Sequence, residues 1–280
     1  MSFLSTSPEI NGERYKKHPI FEMLDDLISF YEDLSYNVTE APISNINFGL
    51  DLDSHILSSL GGTLNSIKFL LLQGRINDAY TLLRKYDDGI LTNLYIICYI
   101  NQNYHPEKLL NDNIGFQDLY VEKIMKWSRE IEKFPQSNKM IEYIKEYDSL
   151  NDLNNLIDFE GVYKRIRQRC NDNVHFNSLY FVMLNDNSLY LSNYRLKELD
   201  QFMSFIQYFF IFHFVYLFSL KEEYMSSSDY IDALDCGLSP KEESLYWVAP
   251  YIQEIFDKYI KPNRMDLASY LMKHTCMKLK

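Results

Sequence analysis

The chain has 280 residues, of which 46% are hydrophobic and 15% aromatic; this is enough apolar material to bury a full core, and it argues against a disordered protein. The formal net charge of −11 argues against a broad electrostatic grip on nucleic acid, because non-specific affinity comes from Lys and Arg that neutralise phosphates. Any contact with nucleic acid must therefore be local.

Two further features of the sequence bear on where the protein is found and on which chemistry it can carry out. The first seventeen residues contain no apolar segment behind a basic one, so we expect no secretory signal and a cytoplasmic protein. The four cysteines lie far apart without a CxxC pair, so we expect reduced thiols and neither a disulfide framework nor a zinc site. The sequence also lacks Gly-rich phosphate loops and the HExxH and GxSxG motifs, and we expect no cofactor.

The distribution of residue types predicts an all-α fold. Nine glycines and eight prolines leave too few turn residues for an all-β protein, whereas Leu, Lys, Glu and Asp recur at helical spacing. The first predicted helix covers residues 18–35 and is amphipathic. Residues 36–50 are richer in Asn, Pro and Ser, so they are interpreted as a connection, with a short extended piece at 46–48.

Two helices that form an antiparallel hairpin are predicted next. The first carries apolar residues three and four positions apart and stops at Gly74, and Asn77 and Asp78 open the second after a short turn. Gly61 and Gly62 are unfavourable inside the first helix, and their simplest role is to let a neighbouring helix approach closely. The apolar seam of the first helix consists of Leu57, Leu60, Leu64, Ile67 and Leu71.

Further helices are predicted over residues 116–133, 138–148, 161–170, 174–184 and 195–223. In the tail, Ser239, Pro240 and Glu242 have the pattern of a capping box with proline at the first helical position, and residues 262–266 begin a final helix. No repeat period indicates a solenoid.

The segment 202–220 is long and apolar enough to cross a bilayer. Gln207, His213, the missing basic flank and the number of other helices favour a helix that is buried on nearly all sides, so no membrane partner is expected. His213 is then predicted to be a hydrogen-bonded core histidine, although a catalytic or ligand role is the alternative.

One segment breaks the acidic trend. Residues 164–169 contain four cations, and the polar residues Asn171, Asp172 and Asn173 separate them from His175. In an unbroken helix, Arg169 and His175 would lie about 120° apart around the axis. We expect a cap at Asp172 or Asn173 to end one helix and begin another, so that the guanidinium and the imidazole point into one cleft. The four cations are Lys164, Arg165, Arg167 and Arg169.

This segment resembles the HEPN superfamily (higher eukaryote and prokaryote nucleotide-binding domains), whose ribonuclease members carry Arg, four to six residues, then His. Arg169 and His175 fit that spacing, whereas Cys170 stands where the family usually has a polar residue. The resemblance covers residues 50–225, and more loosely the whole chain is similar to stand-alone HEPN proteins of phage defence and abortive infection. It implies a helical bundle, here with residues 1–50 and 226–280 as N- and C-terminal additions packed on the same core.

The resemblance also implies a chemistry. A neutral imidazole can take a proton from an RNA 2′-hydroxyl or give one to the leaving 5′-oxygen, while an arginine holds the phosphate, and no metal is required. Arg169 would bind phosphate, His175 would transfer the proton, and Asn171 or Asn173 would orient the scissile group. Two copies of the chain would share one cleft, which concentrates the basic residues. The predicted substrate-binding residues are Lys164, Arg165, Arg167 and Asn177.

Three alternatives stay open. The basic run could be stabilised by the dipole at a helix C-terminus, without binding anything. The protein could be a non-catalytic interaction or regulatory module that binds a protein partner or inhibitor, which suits the acidic balance and Cys170. Asp51, Asp53 and His55 could bind a metal, although a cap and solvated turn is the more ordinary interpretation. Arg84 and Lys85 are expected to pair with Asp87 or Asp88, or to lie on a solvated face.

Overall fold

The computed structural model describes residues 12–40, 52–103, 122–185 and 194–280, and it shows an all-α protein. Within these residues the only extended pairing is one antiparallel bridge between Ser226 and Val248. The helices are α1 (Glu13–Lys16), α2 (Pro19–Glu40), α3 (Leu52–Leu72), α4 (Ile76–Asn103), α5 (Glu122–Ser128), α6 (Ser137–Lys145), α7 (Asn151–Asn154), α8 (Lys164–Val174), α9 (Leu179–Met183), α10 (Tyr194–Leu220), α11 (Asp229–Asp235), α12 (Pro250–Ile255) and α13 (Met265–His274). Two π-helical turns (Phe159–Tyr163 and Phe256–Ile260) and three 3₁₀ turns (Asp148–Leu150, Glu222–Met225 and Ser244–Tyr246) complete the set.

Helices α2, α3 and α4 pack side by side and confirm the first predicted helix and the predicted hairpin. The chain reverses between α3 and α4 at Gly74, whose φ of 69° suits a residue without a Cβ. Gly61 has the predicted role, because a Cβ there would lie 3.2 Å from the Cβ of Tyr31 on α2. For Gly62 the prediction is wrong, since a Cβ there would meet no atom within 4 Å.

Helix α10 runs through the centre of the protein. Ten consecutive residues, 209–218, are buried, which confirms the prediction of a helix enclosed on nearly all sides. It contacts α2, α4 and α13, and its phenylalanines pack edge-to-face with one another and with Phe30 of α2. Among the described helices, α10 alone is long and apolar enough to cross a membrane, and 61% of its most apolar window is buried in the protein.

Other predicted boundaries differ from the structure. The part of the predicted helix 116–133 up to residue 121 lies outside the described residues, and α5 covers the rest only to Ser128. The extended piece predicted at 46–48 also lies outside them. The capping box prediction is wrong, because residues 239–243 form no helix and the next α-helix begins at Pro250. The final helix is confirmed as α13. One apolar cluster includes buried residues from Tyr15 to Leu279.

Candidate functional site

Helix α8 carries the segment that the sequence singled out, and it begins with the basic run. The carboxylate of Asp158 accepts hydrogen bonds from the backbone amides of Gly161 (2.8 Å) and Val162 (3.0 Å) and so caps the π-helical turn that leads into α8. Lys164 is the first residue of α8, and no basic residue lies in its last turn. The alternative of a C-terminal dipole contact for Lys164, Arg165 and Arg167 is therefore wrong, because the run lies at the opposite end of the helix.

The predicted helix break between Arg169 and His175 is also wrong. Helix α8 continues to Val174, and His175 is its C-cap with φ −97° and ψ 5°. Asn171, Asp172 and Asn173 are thus helical. At 100° per residue the two side chains leave the helix about 120° apart, so one copy of the chain does not direct them into one cleft.

The asparagines stay helical because their side chains have partners that the sequence did not reveal. Asn171 accepts a hydrogen bond through Oδ1 from Nε of Arg84 (3.1 Å) on α4. Buried Asn173 donates through Nδ2 to the carbonyl oxygen of Arg169 (2.8 Å), one turn earlier in its own helix, and accepts from Nδ2 of Asn77 (2.9 Å). Because these side-chain groups are already hydrogen-bonded, they are not available to cap a helix end, and the helix continues.

The end of α8 is a Schellman motif with an unusual residue. The amide of Phe176 donates to the carbonyl of Asn173 (3.3 Å), and the amide of Asn177 donates to that of Asp172 (3.1 Å). This motif places Phe176 in the left-handed region with φ 49°, a position that normally holds glycine. Its ring is nevertheless 53% exposed, so no burial compensates for the strained backbone in the single chain. Strain of this kind is often found at functional sites.

Arg169 is held by a carboxylate and three aromatic rings. Nη2 of Arg169 donates to Oε1 of Glu198 (2.8 Å), and Glu198 is buried and also accepts from the hydroxyls of Tyr80 (3.1 Å) and Tyr180. The guanidinium lies 4.6 Å from the ring centroid of Phe181, 5.3 Å from that of Tyr180 and 5.6 Å from that of Tyr80. The Arg169 side chain is 22% exposed, so one edge reaches solvent while Glu198 fixes its orientation.

Arg167 belongs to a second ion-pair cluster under α8. It is buried and pairs with Asp87 and, at 3.2 Å, with Asp88, and Arg84 bonds the same two carboxylates (3.1 and 2.8 Å). The predicted pairing of Arg84 is confirmed. Desolvation raises the pKa of Asp87 to about 6, against the opposing effect of the Arg167 charge and the hydroxyl of Tyr163. The cluster joins α4 to α8, and Arg167 is not presented to a substrate.

The remaining predicted site residues lie at the surface. Lys164, Arg165, His175 and Asn177 are exposed; Lys164 lies 3.7 Å from Glu160, and Nδ2 of Asn177 donates to Asp172 (2.9 Å). The imidazole of His175 has no hydrogen bond to any described residue. Exposed apolar side chains surround it along the chain and form what we call the α8–α9 patch: Val174, Phe176, Leu179 and Val182.

The prediction of a hydrogen-bonded core role for His213 is confirmed. Its Nδ1 lies 2.7 Å from the hydroxyl of Tyr31 and its Nε2 lies 3.0 Å from Oδ1 of Asn93. Asn93 in turn donates to Asp53 (3.0 Å), which also accepts from Tyr224 (2.7 Å). Burial lowers the pKa of His213 to about 3 and raises that of Asp53.

The Asp51, Asp53 and His55 trio is only partly among the described residues. Asp51 lies outside the described residues, His55 is exposed, and Asp53 is buried rather than part of a solvated turn. Across the described ranges, no group of His, Cys, Asp and Glu side chains is arranged to hold a metal ion.

Glu198 and the pairing of Asp87 with Arg167 were not predicted from the sequence, and these two buried carboxylates organise α8. Both occur in helices whose neighbouring positions are apolar and buried, and a carboxylate on the buried face of a helix is a signal for a cationic partner. The sequence offered several arginines, and which of them reached which carboxylate depended on packing between helices.

No family model, no curated protein and no solved structure matches this chain.

Proposed function

We propose that the protein is a metal-independent endoribonuclease of HEPN type that acts as a homodimer, as a growth-arresting effector in defence against phage. The observation that carries the proposal is the surface at the end of α8. There an exposed imidazole with no hydrogen-bonding partner among the described residues stands beside a strained, exposed phenylalanine and an apolar patch. A titratable group in such a position is available to a substrate and to a second copy.

The second copy is needed for geometric reasons. Arg169 and His175 diverge by about 120° around one helix, so a shared site requires the His175 of one copy to approach the Arg169 of the other. The α8–α9 patch supplies apolar surface for such a contact, and a symmetric pair buries the same patch twice. The partner copy thus contributes a residue to each site.

In this proposal His175 exchanges the proton with the RNA 2′-hydroxyl or the leaving oxygen. Arg169 acts as an oriented hydrogen-bond donor to the phosphate, because Glu198 neutralises much of its charge. Asn173 is buried and fully engaged, so the orienting role falls to Asn171. Exposed Arg165, which forms no ion pair with a described residue, supplies a cation for the RNA backbone.

The test is cleavage of RNA by the pure protein in EDTA. Expected products end in 2′,3′-cyclic phosphate, and His175→Ala should lower the rate by about 10²- to 10⁴-fold, the usual effect of losing one acid or base. His55→Ala is the matched control, since His55 is also an exposed histidine, and it should keep the rate. Cleavage that His175→Ala leaves unchanged would refute the assignment.

A second candidate, a non-catalytic interaction module, is favoured by one specific observation. Arg169 is committed to Glu198 and the helix is unbroken, so a single copy has no assembled site. For this function the same apolar patch would bind a protein partner. Absence of cleavage by the wild-type protein, at concentrations where it is dimeric, would favour it.

A further inference from the structure

A cavity of about 740 Å³ opens beside α11, away from the residues of the α8 site. Its walls come from the C-terminal part of α2, the 3₁₀ turn after α10, helix α11 and the first residues of α12. The volume lies within the range of about 300 to 1,000 Å³ that is usual for small-molecule sites.

Acidic side chains dominate the charge of this cavity, and one of them, Glu223, lies 3.7 Å from Lys221. Glu223, Asp229, Asp232 and Asp235 line it, and no Lys, Arg or His is among the described lining residues. The stretch 222–243 contains seven carboxylates and only one lysine, in a chain whose total charge is −11. A low-dielectric wall focuses such a field into the cavity and attracts cations.

Several carboxylates elsewhere in this protein are held in ion pairs. Glu198 is paired with Arg169, Asp87 and Asp88 with two arginines, and Glu22 and Asp26 with Lys258. By contrast, none of the three aspartates of α11 forms an ion pair with a described residue. Like charges held close together without counter-ions are unfavourable, so an external cation would stabilise them.

The spacing favours an extended cation over a point charge. Asp229, Asp232 and Asp235 recur every three residues, so successive carboxylates advance by about 4.5 Å along the axis of α11. They are not gathered as metal ligands, and the described residues contain no cluster suited to a metal ion. A row of separate carboxylates instead matches a row of separate ammonium groups.

Tyrosines also line the cavity. Tyr224, which is buried, and partly buried Tyr251 contribute to its walls, and Tyr251 is fixed by a hydrogen bond from Nδ2 of Asn37 to its hydroxyl (3.0 Å). Behind Tyr224 lies the buried carboxylate of Asp53, which accepts the tyrosine hydroxyl (2.7 Å) and adds negative potential. Tyrosine faces bind ammonium groups and pack against methylene chains.

We propose that this cavity is a binding site for an aliphatic polyamine. The ammonium groups pair with Asp229, Asp232 and Asp235, and the methylene segments pack against Tyr251. The site is independent of the proposed ribonuclease activity, because none of its residues belongs to the α8 site.

The test is calorimetric titration with spermidine at about 0.15 M salt, where weak surface electrostatics are screened. We expect saturable binding by the wild-type protein, weakened about tenfold or more in Asp229→Asn/Asp232→Asn/Asp235→Asn. The matched control, Glu142→Gln/Glu146→Gln/Asp148→Asn, removes the same charge at exposed positions near α6 and should bind as wild type. Should the triple variant not fold, Asp232→Asn alone, at an exposed position, should weaken binding several-fold.

Three outcomes would overturn the proposal. They are no saturable binding by the wild-type protein, an equal loss in both triple variants, and abolition of binding by MgCl₂ at the same concentration of positive charge. The last two would reduce the effect to general screening of an acidic surface.

Discussion

His213 lies at the centre of a chain of buried polar groups that crosses the core. Asn93 donates to the carboxylate of Asp53, so its Oδ1 faces His213 and accepts from Nε2. This leaves Nδ1 of the ring to accept the hydroxyl of Tyr31. Both ring nitrogens are hydrogen-bonded in the neutral form, and burial disfavours the charge that a second ring proton would bring.

This arrangement predicts a specific pH dependence. The pKa of His213 is about 3 in the folded protein and about 6.5 in an unfolded chain. The unfolded state therefore binds the proton more tightly, so the stabilising effect is present above about pH 6.5 and is lost as the pH falls. Between about pH 7 and about pH 5, the wild-type protein should lose about 2 kcal/mol of unfolding free energy more than His213→Gln, as measured by urea denaturation. Equal losses in both proteins would argue against a neutral buried ring.

A second prediction concerns the ion pair between Arg169 and Glu198. Glu198→Gln keeps the shape of the side chain but leaves the guanidinium without its counter-charge. We expect a loss of about 2 to 3 kcal/mol in unfolding free energy, near the lower end for a broken buried pair, because Arg169 is partly exposed. Asp266→Asn, which breaks the exposed pair with Arg264, should cost less than about 1 kcal/mol. Similar small losses for both would contradict the role of Glu198.

At the scale of elements, the end of α8 offers a test of the strain at Phe176. At concentrations where the protein is a monomer, Phe176→Gly should raise the unfolding free energy by about 1 kcal/mol, because glycine adopts positive φ without the Cβ clash. Phe69→Gly is the matched control, since Phe69 is 63% exposed but lies inside α3, where glycine lowers stability by about 0.5 kcal/mol. Chemical denaturation of both variants should give shifts of opposite sign, and shifts of the same sign would show that Phe176 is not strained.

The elements also show what the sequence could predict. The α3–α4 hairpin and buried α10 followed from spacing and apolar content alone, because a continuous apolar face has few alternatives in a soluble core. The ends of α8 could not be predicted in this way. Asn171 and Asn173 have the chemistry of caps, and only the positions of Arg84 and Asn77 on α4 decide that they stay helical.

The same limit applies to the site. The sequence singled out Arg169 and His175 as candidates for chemistry, and their role stays a prediction. It could not predict that Arg167 is buried against Asp87 or that Arg169 is paired with Glu198, since a basic run has the same letters whether it faces solvent or a buried carboxylate.

At the scale of the whole molecule, α10 connects the two proposed sites, one near its beginning and one after its end. It contributes Glu198 to the ion pair with Arg169 near its beginning, and its last turn leads into the wall of the α11 cavity. The proposed ribonuclease site nevertheless remains half a site in one chain. The complete site and its proposed ribonuclease activity therefore depend on the association of two copies.

The most direct measurement is the mass of the protein in solution by sedimentation equilibrium. We expect a particle of twice the chain mass of 33.4 kDa, converted to monomer by Leu179→Glu in the α8–α9 patch, with RNA cleavage lost in parallel. Leu238→Glu, at an exposed leucine outside that patch, should leave the mass and the cleavage unchanged. A wild-type protein that stays at the mass of one chain at every concentration, or a dimer that Leu179→Glu does not disturb, would contradict this expectation.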